Sequence, residues 1–356
     1  MSLPSLDDPA VLHRIDPLGM IDLILAFPEQ CEKAAEIAAK YQPSVPLKAK
    51  PRAIIMAGLG GSAIAGEIVG SLVRGQLSCP WATVRDYNIP NYVDADSLVI
   101  VESYSGNTEE TLSAYNHAKE RGARIVCVTS GGKLADLARQ DGNDLVMIPA
   151  GQPPRSALGF MLIPMLFVLE KLGVIEGWTL KIPDAIALMK SLRARIEPSV
   201  QTDENDAKML ARELYGRIPL LYGSAGYTGA FAVRWKCQFN ENSKIHAFTN
   251  VFPELNHNEI LAWERAELQS ESFTVVLLRD PTDKSRIADR IRITHSLIPK
   301  GYPVHDIALE GKNELERLLW GCHFADLVTE YLAVLNKVDP YKMAGIDYLK
   351  SELAKI

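Results

Sequence analysis

Four short β-branched runs, each leading through a turn into a helical stretch or a proline loop, constrain the first half of this chain more than any other feature. They are Ala53-Ile-Ile-Met-Ala57, Leu98-Val-Ile-Val-Glu102, Arg124-Ile-Val-Cys-Val-Thr129 and Asp144-Leu-Val-Met-Ile148. Runs this short and apolar read as strands buried on both faces, and their alternation with helices predicts a doubly wound parallel sheet. The second half restarts the theme with strand Ile218-Pro-Leu-Leu-Tyr222, a glycine-rich turn over 223–229 and a helix over 230–239. Further strands are expected over 273–278 and 304–309, and helices over 282–297 and 314–335. Residues 173–205 are more polar, are punctuated by Pro183 and Pro198, and read as a bridge. The expected fold class is α/β, with two doubly wound parallel-sheet αβα sandwiches related by internal duplication. One spans residues 1–190, including N-terminal helices within 8–42, and the other residues 191–356.

Open sheets of this kind bind ligands at the carboxyl ends of their strands, and two loops there are built for it. Gly58-Leu-Gly-Gly-Ser62 follows the first strand, and Ser103-Tyr-Ser-Gly-Asn-Thr108-Glu-Glu-Thr111 follows the second. Glycines allow close backbone approach, and hydroxyls at a helix N-terminus meet free N–H groups and the positive end of the helix dipole, a setting that attracts phosphate. Asn107-Thr-Glu-Glu110 also has the spacing of an ordinary helix cap that needs no ligand. Two such loops at one sheet edge favour a single phosphate pocket over two unrelated caps. A dinucleotide site fits less well, because the third fingerprint glycine is Ala63 and a ribose-reading acid would fall among Gln76 to Trp81, where none stands.

Composition narrows the partners. A net charge of -6 and a pI near 5.7 supply no basic field, so nucleic acid is not an expected partner. The five cysteines are scattered, odd in number and without a C-x-x-C spacing, which argues against a disulfide framework or a zinc site and for a reducing compartment. The start of the chain lacks a signal-peptide pattern, and no apolar run is read as approaching the ~20 residues of a membrane span. A cytoplasmic, cofactor-free and metal-free protein is expected.

Three residues stand out as chemistry. Arg155 sits between a double proline and an apolar helix, either as a solvated loop charge or as a positioned cation. Glu241 falls at a predicted helix C-terminus, where the dipole disfavours a carboxylate; it is either a surface residue or a base whose pKa is raised towards neutrality. His257 lies in a loop between Asn256 and Asn258, as a turn residue or a reactive one.

Taken together, Gly58-Leu-Gly-Gly-Ser62, the Ser103 to Thr111 stretch, Pro153-Pro-Arg155-Ser, Asn240-Glu-Asn-Ser-Lys244 and Pro253-Glu-Leu-Asn-His257-Asn-Glu259 closely resemble the bifunctional phosphoglucose/phosphomannose isomerases of the sugar isomerase (SIS) superfamily. The resemblance covers nearly the whole chain. It implies an enzyme interconverting glucose 6-phosphate and mannose 6-phosphate with fructose 6-phosphate through a cis-enediolate. It also implies phosphate binding by Gly61, Ser62, Ser103, Ser105 and Thr108, proton transfer by Glu241, ring opening by His257, enediolate stabilisation by Arg155, and a C-terminal lysine matching Lys350. A homodimer is implied as well, with His257 reaching the partner's pocket. Where the family tail carries a threonine soon after Asp-Pro, this chain has Tyr341, Lys342 and Met343 after Asp339-Pro340. The loops also admit a phosphoglucose isomerase without mannose activity, an isomerase or epimerase of another phosphosugar, and a non-catalytic phosphosugar sensor.

Overall fold

The computed structural model describes residues 3–47, 49–268, 272–353 and 355. Three helices, α1 (Pro9–Ile15), α2 (Met20–Leu25) and α3 (Phe27–Ala39), precede the first strand. Asp16 accepts from the N–H groups of Met20 and Ile21 at 2.9 and 2.8 Å, so one carboxylate fixes the entry into α2.

The first sheet contains β1 (Ile54–Ala57), β2 (Trp81–Val84), β3 (Leu98–Ser103), β4 (Arg124–Thr129) and β5 (Asp144–Met147), in the order β2-β1-β3-β4-β5 with every pairing parallel. Helices α4 (Gly61–Val73), α5 (Glu109–Glu120), α6 (Gly132–Asp141) and α7 (Leu158–Lys171) follow β1, β3, β4 and β5. After α8 (Ile182–Ile196) and α9 (Asp206–Leu214) the second sheet begins. It contains β6 (Ile218–Ser224), β7 (Phe248–Phe252), β8 (Phe273–Arg279) and β9 (Val304–Ala308), in the order β7-β6-β8-β9, again all parallel. Helices α10 (Tyr227–Gln238), α11 (Ser285–Leu297), α12 (Glu314–Asn336) and α13 (Ala344–Leu353) complete the chain. The second order repeats the first with one strand fewer, which is the duplication expected from sequence.

Alternation along the strands assigns the layers. Ile54, Met56, Leu98 and Ile100 join one core, while Ile55, Ala57, Val99 and Val101 join another with Ala114 and Leu134 of α5 and α6. In the second sheet Leu221, Val276 and Leu278 face the first core, whereas Tyr222, Val275 and Leu277 face a third with Ile291 of α11. The large core therefore lies between the two sheets, filled by α3, α4, α7, α8, α9, α10 and α12. Fully burying each such Val, Leu or Ile stabilises the fold by about 1.5–3 kcal/mol. Trp235 stacks on Phe231 and Phe239 one turn to either side along α10, each at 5.7 Å between ring centroids, and this aromatic column anchors α10 in that layer.

One expectation needs correction, and some elements lie where sequence assigned none. An apolar run of membrane-spanning length does exist: α12 has 23 residues and a mean hydropathy of 1.3 over its most apolar stretch, but all of that stretch is buried inside the protein. The helix is apolar because it is surrounded by α8, α9 and α10. Residues 81–84 form a strand that sequence did not assign, an edge strand whose residues are only half-buried. The tail, to which sequence assigned no element, also contains a helix. Residues 344–353 are helical and none of them is buried; Ile346, Leu349 and Leu353 share one face of this helix and stand exposed.

Candidate active site

β1 and β3 are neighbours whose connections leave to opposite sides, so the loops after them flank the crevice where the strand order reverses. Both loops enter helices without side-chain caps. Gly60 (φ +56) precedes α4, and Thr108 precedes α5 without bonding to its first turn. The capping box that Asn107-Thr-Glu-Glu110 allowed is not formed. Instead the Thr108 hydroxyl pairs with Ser103 Oγ at 3.0 Å, and Ser103 Oγ also accepts from Gly106 N–H at 3.1 Å. Ser105 is exposed, and its Oγ accepts from Asn107 N–H at 3.3 Å. Ser62 accepts from Tyr104 N–H at 3.3 Å, which ties the two loops together. Gly106 (φ +69) is required twice over: a Cβ there would sit 1.8 Å from the Gly131 carbonyl, and the left-handed conformation strains any other residue.

Gly61 abuts the proline loop, since a Cβ on it would lie 3.1 Å from the Pro154 carbonyl. That loop ends at Arg155, which is 5% exposed and far from a solvated loop charge. Its Nε donates to Asn242 Oδ1 at 2.8 Å, its Nη2 to the carbonyls of Pro340 and Tyr341 at 2.6 and 3.1 Å, and its Nη1 to Met343 Sδ at 2.9 Å. Its Nη1 is also 3.6 Å from Glu241 Oε2. Burial pulls the guanidinium pKa down, while Glu241 and then Glu330 push it back up.

Glu241 lies where α10 widens into a π turn over Phe239–Ser243, ended by Lys244 at φ +57. Local π geometry is rare and is frequent at functional sites, because it re-aims side chains that a continuing α-helix would carry past. The turn is pinned to α12. Asn242 Nδ2 donates to Thr329 Oγ1 at 3.1 Å, Ser243 Oγ to the Thr329 carbonyl at 2.7 Å, and Lys244 Nζ to the Glu241 carbonyl. One turn earlier, Arg234 makes a bidentate pair with Asp326 at 2.6 and 2.8 Å, and Gln238 donates to the same carboxylate. The Glu241 side chain is 32% exposed yet closely surrounded, and burial pushes its carboxyl up against the opposing pull of Arg155, Lys244 and Arg234.

A cleft lined by Gly60, Gly61, Pro154, Arg155, Arg234 and Glu241 joins the first loop to the carboxylate–guanidinium pair. His257 and Lys350 are not among its lining residues. His257 is exposed at the end of the short turn Glu254–His257, and Lys350 is exposed on α13. Among the described residues no three His, Cys, Asp or Glu side chains converge as metal ligands would. Sequence reading missed the strap of Pro340, Tyr341 and Met343 over Arg155, because carbonyl acceptors carry no residue signature. It also missed Asn242, although its place beside Glu241 in Asn-Glu-Asn was visible.

The bacterial phospho-glucose isomerase C-terminal SIS domain matches residues 203–353, and the SIS domain matches residues 48–171. A bifunctional phosphoglucose/phosphomannose isomerase of Caldicellulosiruptor bescii is 43% identical over 340 residues, covering 95% of this chain and 99% of that one. One from Aquifex aeolicus is 37% identical, covering 85% and 91%. Among solved structures, a glucose-6-phosphate isomerase like protein from Thermus thermophilus superposes with a TM-score of 0.62 at 20% identity, covering 96% of this chain and 99% of that one, a likeness of fold.

Proposed function

This chain belongs to the family of bifunctional phosphoglucose/phosphomannose isomerases, and on that footing we propose that it interconverts glucose 6-phosphate and mannose 6-phosphate with fructose 6-phosphate. The single observation that carries the chemistry is the Arg155–Glu241 pair, a buried guanidinium 3.6 Å from a carboxylate whose pKa is raised. A base of that kind is matched to a weakly acidic carbon-bound proton at neutral pH.

The phosphate docks on Gly61, Ser62, Ser103, Ser105 and Thr108, where two helix N-termini lack caps of their own. His257, with Lys350, moves the proton that opens the ring. Glu241 removes the C2 proton of the open aldose, and the electron pair of the C–H bond passes through the new C1–C2 double bond onto the C1 oxygen. The resulting cis-enediolate carries negative charge beside Arg155, held in place by its strap. Glu241 returns the proton to C1 as the C2 hydroxyl proton passes to the C1 oxygen, which leaves the ketone at C2 and a hydroxyl at C1. Protonation at either face of C2 in the reverse direction gives glucose or mannose 6-phosphate from one intermediate.

We further propose a cytoplasmic homodimer of chains divided into residues 1–190 and 191–356, with the exposed His257 completing the partner's site. The test is to assay the purified protein on both aldose phosphates. Conversion of both, mutual competition, and loss of both in Glu241→Gln support the reading. Full glucose activity with no mannose activity defeats the bifunctional part and directs attention to Tyr341, Lys342 and Met343.

A further inference from the structure

One carboxyl that this reaction does not use is buried on α12, the helix to which the base's π turn is pinned. Glu330 on α12 is 0% exposed, and among the described residues neither of its oxygens has a hydrogen-bond partner. Its chain neighbour Thr329 is the residue that pins Asn242 and Ser243, and Asn242 in turn holds Arg155. Glu330 is thus built into the same scaffold as the Arg155–Glu241 pair. The charged groups whose fields reach it are Asp16 before α2, Arg155 before α7, Lys244 after the π turn and Asp339 after α12. Arg155 and Lys244 favour its ionised form, Asp16 and Asp339 oppose it, and burial opposes it most.

The consequence falls on Arg155. Glu241 loses its negative charge as the enediolate gains one, so the guanidinium faces a single negative charge before and after proton abstraction. A carboxylate at Glu330 would add a second and take up part of the field that stabilises the enediolate. We propose that Glu330 is a positioning residue that acts through Arg155: as a neutral acid it leaves the guanidinium charge to the enediolate, and as a carboxylate it withdraws it. This rests on the isomerase reading above.

The test is the pH profile of kcat for wild type and Glu330→Gln on glucose 6-phosphate. Gln has the shape of the neutral acid, so the variant keeps wild-type kcat near neutrality within about twofold and retains the acid limb that Glu241 sets. On the alkaline side wild-type kcat falls as Glu330 ionises, whereas the variant holds its rate, opening a gap of roughly tenfold. An alkaline limb identical in both proteins overturns the proposal, because a merely structural acid would not alter the profile. Should the variant fold poorly, carboxyl-carbon NMR of the wild type takes its place. A glutamate titration coincident with the alkaline fall in kcat supports the proposal, and none coincident overturns it. If wild type turns over neither aldose phosphate, the isomerase reading fails by itself. The same NMR titration then decides the coupling: Arg155→Gln raises the Glu330 midpoint if the two groups interact, and an unmoved midpoint overturns the proposal.

Discussion

The Arg155 guanidinium lies 3.6 Å from the Glu241 carboxylate, yet among the described residues the hydrogen bonds that hold it go elsewhere: to Asn242, to the carbonyls of Pro340 and Tyr341, and to Met343. The cation is therefore fixed by neutral acceptors, and its charge is not consumed by a tight ion pair. Glu241 keeps a raised pKa beside a positive charge for the same reason: burial outweighs an attraction that stops short of a hydrogen bond.

Glu241→Gln should abolish turnover of both aldose phosphates while leaving KM within a few fold, since the carboxylate acts on carbon-bound protons and not on the phosphate. Steady-state kinetics check this, and an equal loss of substrate affinity would mark Glu241 as structural. Arg155→Lys should lower kcat by roughly 10²-fold, because a lysine cannot reproduce the fork held by the strap and misplaces the charge.

The acid limb of kcat/KM should lie above the ordinary carboxylate range. Glu241 must be ionised to act, and its pKa is raised from 4.5, so its protonated, inactive fraction persists to higher pH. Arg155 opposes that rise, so Arg155→Gln should move the acid limb further upward. A limb unmoved or shifted downward in that variant contradicts the assignment of the base.

Gly106→Ala should damage the phosphate site and the fold together. Its Cβ would meet the Gly131 carbonyl at 1.8 Å in a left-handed backbone, a loss of at least ~2 kcal/mol. Ser103→Ala removes the hydroxyl that joins Thr108 to Gly106 and should raise KM with a smaller change in kcat. Denaturant melts and kinetics separate the two effects.

Mixing the inactive variants Glu241→Gln and His257→Ala should restore activity if His257 serves the partner's pocket. Random pairing makes half of the dimers mixed, and each mixed dimer has one intact site, so recovery approaches about a quarter of wild type. No recovery, with dimers shown to exchange, places His257 in its own chain's site or outside the chemistry.

Glu102→Gln should stabilise the protein increasingly as pH rises. Glu102 is 0% exposed on β3 without a hydrogen-bond partner among the described residues, and burial holds its carboxyl well above 4.5. Above about pH 4.3 the unfolded chain releases this proton while the folded one retains it, so the native state binds more protons and wild-type stability falls with rising pH. The gap to the variant should widen by up to ~1.4 kcal/mol per pH unit until the folded group ionises. Urea melts at several pH values read the slope, and a constant gap would refute it.

How much was legible follows from where each signal resides. The parallel strands, the hydroxyl loops and the second copy of the motif were written locally, because burial on both faces demands continuous apolar runs and tight turns demand glycine. Edge strand β2 was not, since half-buried residues at a sheet margin need no such run. Tyr341 and Met343 could be read only as a departure from the family tail, while the structure places them over Arg155, 186 and 188 positions away in the chain. The sequence by itself determined the strands buried on both faces and which loops could take an anion, because those depend on neighbours in the chain. Only the tertiary structure decided that Arg155 is fixed by backbone carbonyls, that α10 opens into a π turn at Glu241, and that Glu330 is sealed from solvent on α12. Burial and electrostatics depend on what packs around a group in space, and residues far apart in the chain supply it.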